Sequence, residues 1–153
     1  PEADSPTVEH DGVWARVIAG ECLGVTSSID TVIPISLIHV KMEEGAVLNQ
    51  TIASGLNGMI YVFRGSIRVN DQLSVRKQPM PFGIGVKQQV SDGELALLSD
   101  GETVEITCDS PCDLLILAGP EIDEPIARYG PFVMNTREEI HQAVIDYQNG
   151  TFA

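Results

Sequence analysis

Positive charge is what this sequence has least of. Nine Lys and Arg stand against 22 Asp and Glu, for a net charge of −13. Gripping a nucleic-acid backbone takes a basic stripe, and these cations are scattered, so direct nucleic-acid binding is not expected. Cysteine is scarce as well. Cys22, Cys108 and Cys112 are too few, and odd in number, for a disulfide framework, which fits a reducing intracellular compartment. No apolar run reaches the roughly 18 residues of a membrane helix, so no membrane partner is expected. The first residues, Pro1-Glu2-Ala3-Asp4-Ser5-Pro6, have neither the basic nor the apolar character of a secretory signal. A chain opening on Pro is expected to be a processed product, an expressed piece or part of something longer.

What remains is an ordinary globular balance, 43% hydrophobic and 20% charged over 153 residues, enough for one domain with a sizeable core. Residues 1–10 read as a polar lead-in, 11–135 as the body and 136–149 as a helix. Strands are expected at Val13–Ile18, 35–42, Ala46–Ile52, Met59–Arg64, Ile67–Val69, Leu73–Val75, Glu94–Leu98, Thr103–Cys108 and Asp113–Leu117. In 35–42, Ser36, Ile38, Val40 and Met42 share one face, leaving His39 near an edge or the solvent side. Residues 76–89, with Pro79, Pro81, Gly83 and Gly85, read as a long loop. Short strands at roughly ten-residue spacing, parted by Gly, Asp and Pro turns, indicate an all-β sandwich or barrel.

The most structured text lies near the end, in 124–140. Gly130-Pro131 punctuates a turn, and Phe132-Val133-Met134 calls for burial. Two capping boxes overlap, Asn135 with Glu138 and Thr136 with Glu139, so a helix starts here. Ile140, Ala143, Val144 and Tyr147 give it an apolar stripe, and Gly150 stops it.

The strand pattern around 45–65 and 93–108 resembles the cupin family of double-stranded β-barrels (jelly rolls). That family carries two spaced motifs whose three His and one Glu hold a divalent metal. Here Gly45 and Gly65 frame the first motif, but its His-x-His window reads Thr51, Ile52, Ala53, Ser54, and its Glu position is Gly58. In the second motif Gly93 is followed by Ser99, Gly101 and, in place of the His, Val104. The expectation is a metal-free cupin with no catalytic, cofactor or metal residues of its own. Other candidates reduce to structure. Cys108 and Cys112 read as one core thiol and one loop thiol, since zinc needs a second pair. His10 beside Asp11, His39 and His141 have nothing placing them in a pocket. Gly83-x-Gly85 lacks a phosphate loop's context, and Glu43-Glu44 is a solvated turn.

The chain is further similar to the C-terminal half of the pirin family. The carriers are GPFVMNTREEI at 130–140, Glu124-Pro125-Ile126, Asp146-Tyr147-Gln148, Arg16–Glu21 with Gly24-Val25, Glu44-Gly45-Ala46, Tyr61–Gly65 and Leu114–Gly119. The resemblance implies an all-β cupin barrel with one C-terminal helix, metal-free, beside an N-terminal cupin that binds iron. It also implies quercetin 2,3-dioxygenase activity and transcriptional co-regulation, both dependent on that other half. Tyr129, Gly130, Pro131, Phe132, Val133, Met134, Asn135, Thr136 and Glu139 are then the expected interaction segment. The expected partner is the N-terminal cupin half, with self-association as an alternative. A third reading is a free-standing acidic module that meets a basic transcription-factor surface through Arg137, Glu138 and Glu139.

Overall fold

The computed structural model describes residues 5–69, 89–98 and 102–152. The expected strand Leu73–Val75, the loop 76–89 up to residue 88, and Ser99 and Gly101 lie outside the described residues. In chain order the elements are β1 Thr7–His10, β2 Val13–Ala19, β3 Glu21–Cys22, β4 Val25–Thr26, β5 Ser36–Met42, β6 Val47–Thr51 and β7 Asn57–Val69. They continue with β8 Gln89–Ser91, β9 Leu95–Leu97, β10 Thr103–Gly119, β11 Ala127–Tyr129, β12 Phe132–Met134 and α1 Arg137–Asn149. No helix among the described residues is long and apolar enough to cross a membrane.

Eight strands form one antiparallel sheet in the order β1-β2-β5-β10-β7-β8, with β6 on β10 and β9 on β7. β10 is the spine. Residues 112–118 pair with β5 on one side and, from Asp113, with β7 on the other, while 103–107 pair with β6. Period-two alternation drives this: β2 alternates fully buried and half-buried residues along its whole length. Ile38 and Val40, Ile60 and Val62, Leu114 and Ile116 are completely buried in one core cluster. Among the described residues this is the all-β architecture with one C-terminal helix that the sequence predicts.

Three elements differ from expectation. Thr7–His10 is a strand hairpinned to β2, not lead-in, so an ordered edge begins before residue 11. Its turn, Asp11-Gly12, has φ of 48° and 75°, the double left-handed geometry of a two-residue type I′ hairpin. Met59–Arg64 and Ile67–Val69 are one strand, as are Thr103–Cys108 and Asp113–Leu117. In both cases a bulge keeps the ladder running across the residues that read as turns.

The chain divides into two compact units after Glu121. In the second, β11 and β12 pair with each other as a hairpin, and α1 follows. The segment 122–135 thus groups with the helix rather than with the barrel.

Candidate functional site

Among the described residues, the window 51–54, Gly58 and Val104 bring no imidazole or carboxylate into the barrel interior. Thr51, Ala53 and Ser54 are exposed, and of the window 51–54 only Ile52 is buried. Gly58 is packed so tightly that a Cβ there would lie 2.9 Å from Leu98 Cδ1. Val104 is 1% exposed among apolar neighbours. The one buried polar side chain of β6 is Gln50, whose Nε2 donates to the carbonyls of Glu21 (2.8 Å) and Thr51 (2.9 Å). Among the described residues no three His, Cys, Asp or Glu come together as a cation cluster.

Cys108 and Cys112 overturn the division into core thiol and loop thiol. Both are buried, with their sulfurs 3.5 Å apart, because 108–113 is a bulge inside β10 and not a loop. Burial pushes all three thiols up, Cys22 to about 11 and Cys112 to about 12, so at neutral pH they are inert core groups. His10 Nδ1 lies 3.0 Å from Asp11 Oδ2, on an open turn. Of the two places expected for His39, an edge or the solvent side, it takes the second, on an interior strand with its side chain on the outer face. Its strand lies between β2 and β10, and its Nε2 sits 3.3 Å from Asp113 Oδ1 while Arg64 holds Oδ2 at 2.6 Å.

The interaction segment forms the second unit. Thr136 is the helix N-cap: its Oγ1 accepts from the Glu139 N–H (3.2 Å), and Glu139 Oε2 accepts from the Thr136 N–H (2.9 Å). Of the two overlapping boxes this one forms. Asn135 instead donates its backbone N–H to Glu139 Oε2 (3.0 Å) and its side-chain amide to Glu124. Backbone and side-chain hydrogen bonds from Thr136, joined by the Asn135 N–H, hold the Glu139 carboxyl below its usual range. Gly150 closes the helix in the left-handed region, at φ 71°. Thr136→Ala is expected to cost about 1 kcal/mol, read as a lower thermal midpoint in circular dichroism. An unchanged midpoint would show that the cap is redundant.

Phe132-Val133-Met134 is only partly buried, against expectation. Phe132 packs edge-on to Tyr147 (5.8 Å) and Phe152 (5.6 Å), but Val133 is 55% exposed because a two-stranded hairpin covers one face only. Tyr129 is exposed, and it joins Ile126, Arg128, Arg137, Ile140 and His141 around a groove of about 700 Å³. The groove brings together Tyr129 of the signature and His141 of the helix, which the sequence kept apart. Reading by segments also missed Trp14, His39 and Phe63, which meet on the outside of the barrel.

Residues 37–153 match the family described as the Pirin C-terminal cupin domain. A Vibrio cholerae protein, provisionally named a quercetin 2,3-dioxygenase, is 37% identical over 142 residues, covering 90% of this chain and 45% of that protein. Human pirin is 32% identical over 146 residues, covering 94% of this chain and 46% of its own. A crystal structure of quercetin 2,3-dioxygenase from Acinetobacter baumannii superposes with a TM-score of 0.79 at 28% identity, covering 98% of this chain and 48% of that one. The chain therefore spans just under half the length of the relatives it matches. On these grounds the chain belongs to the pirin family, as its C-terminal cupin domain.

Proposed function

We propose that this chain is the non-catalytic cupin half of a pirin-like protein, whose iron and chemistry reside in a companion cupin. The observation that supports this most directly is the identity of the ligand positions. Thr51 is exposed, Gly58 carries no side chain, and Val104 is sealed in the core. No imidazole or carboxylate stands where a transition metal would need one. The role left to the chain is to dock on and partly cover the metal-bearing half, within a protein that acts as a transcriptional co-regulator. The segment Tyr129–Thr136 with Glu139 contributes to docking through the exposed Tyr129 and Val133.

Metal analysis of the purified chain after incubation with ferrous iron tests this reading. Iron at background level is expected, and one iron per chain would overturn it. A second reading, part of a flavonol ring-opening dioxygenase, draws on the names of the Vibrio and Acinetobacter proteins. It predicts no oxygen uptake with quercetin by this chain alone, and uptake once an iron-loaded companion cupin is added.

A further inference from the structure

We propose that the groove between β11 and α1 is a binding site for a small organic acid, an aromatic body carrying one carboxylate. Every residue that lines it falls within 126–144, so the site stands whether or not the chain holds iron.

The helix supplies one wall by its period. Arg137, Ile140, His141 and Val144 follow the i, i+3, i+4, i+7 spacing and so share a face of α1. Arg128 and Tyr129 of β11, with Ile126 just before it, form the other wall. Ile140 is buried and Ala127 and Val144 are half-buried, which makes the floor apolar. Ile126 and Tyr129 are 69% and 68% exposed, so apolar surface is also left open at the rim. A volume of about 700 Å³ lies within the roughly 300–1,000 Å³ of small-molecule sites, which pair an apolar lining with a few converging polar groups.

Charge selects the ligand. Residues 122–153 hold five carboxylate side chains, Asp123, Glu124, Glu138, Glu139 and Asp146, against two cations, Arg128 and Arg137. Both cations line the groove and none of the five carboxylates does. Three of those carboxylates are engaged elsewhere. Glu124 accepts from the Asn135 amide, Glu139 from the Asn135 and Thr136 N–H groups, and Asp146 from Gln142 Nε2 at 2.8 Å. Among the described residues no carboxylate pairs with Arg128 or Arg137. A chain with 22 acids and nine bases thus leaves two guanidiniums uncompensated beside one apolar cleft.

A guanidinium fork matches a carboxylate with two parallel N–H donors. The His141 ring and the Tyr129 hydroxyl add further donors at the same groove. An inorganic anion would satisfy the arginines and leave Ile126, Tyr129 and Val144 facing water. A neutral ring would cover those side chains and leave the arginines unmatched. An aromatic carboxylate meets both demands, with its ring against Tyr129.

The test titrates the ¹⁵N-labelled full chain with 2-naphthoate and follows backbone amide shifts by NMR. Saturable shifts at 126–129 and 137–144 are expected. 2-Naphthamide, the same body without charge, and inorganic phosphate, charge without the body, are expected to bind roughly tenfold or more weakly. Arg128→Gln and Arg137→Gln, both at exposed positions, should each weaken naphthoate binding by about tenfold, and Arg137→Lys should recover only part of it. Circular dichroism of each variant checks that the fold is kept. Equal binding of the amide, shifts centred on the barrel, no saturation, or undiminished binding by the double Arg128→Gln/Arg137→Gln variant overturns the proposal. Tighter binding of 2-naphthyl phosphate overturns the carboxylate assignment. Concentration-dependent shifts at the same amides without ligand would give the groove to a second copy of the chain, which also overturns it. The iron assay reads none of these amides, so either result can fail while the other stands.

Discussion

Gly65→Ala is expected to destabilise the barrel by about 2–4 kcal/mol, a large share of a typical domain's roughly 5–15 kcal/mol. Two effects add. Gly65 has φ +81°, a left-handed conformation that costs an L-residue on the order of 1 kcal/mol or more. The added Cβ would also lie 2.9 Å from Cys112 Cα and Cβ and closer still to the Pro111 carbonyl oxygen. Those are mostly backbone atoms of the neighbouring strand, so no rotamer change relieves the clash, and overpacking of this kind costs about 1–3 kcal/mol. Gly45→Ala separates the two effects. Its φ is +82°, but nothing lies within 4 Å of the added Cβ, so a loss of about 1 kcal/mol is expected. Urea midpoints of both variants decide the matter. Equal losses would mean that the close approach of β7 to the β10 bulge carries no energy.

That approach also explains where the sequence misled. Gly65-Ser66 reads as a turn because glycine weakens a strand interior and its free φ suits a turn. Here it bends β7 alongside the β10 bulge, and the Ser66 and Ser110 hydroxyls meet at 3.0 Å to keep the ladder joined. Cys108-Asp109-Ser110-Pro111-Cys112 reads as a loop because proline cannot donate to a sheet. Pro111 falls where the register slips and no partner awaits it, so the missing N–H breaks nothing. β1 was overlooked for its polarity, yet its signal was present: Asp11-Gly12 is a strong hairpin dipeptide. By contrast, the faces of β5 and the start of β10, and the Thr136–Glu139 cap, follow from local period and chemistry alone. They were legible for that reason.

Gly45, Gly65 and Gly93 frame the windows in which a cupin carries its ligands, so the residues standing there are read directly from the sequence. The phase within those windows is not. Only pairing with β10 shows that Gln50 and Ile52 are buried while Thr51 faces out. The outer sheet face was hidden for a different reason. Trp14, His39 and Phe63 are some 25 residues apart, and no local pattern links them. Strand order places β2, β5, β10 and β7 side by side, and that order is a property of the whole chain.

Stability is expected to fall steeply above pH 9, and the thiols are the cause. Between its unfolded value of 9.0 and its raised folded value, a thiol is protonated when the chain is folded and ionised when it is unfolded. Its contribution is therefore intact below pH 9 and is lost as pH rises toward about 11 for Cys22 and about 12 for Cys112. Each such thiol removes up to about 1.4 kcal/mol per pH unit in that window. By pH 11 the pair together accounts for a loss on the order of 4–5 kcal/mol, enough to unfold a domain of ordinary stability. The measurement is a comparison of urea midpoints from pH 7 to 11 against a Cys22→Ala/Cys112→Ala double variant, in which every other group is shared. The variant starts lower, because two buried side chains are shortened. Its decline with pH should be much shallower, so the two curves converge. Parallel curves would show that the thiols ionise as readily inside the barrel as outside it, and that the bulge around Cys112 admits water.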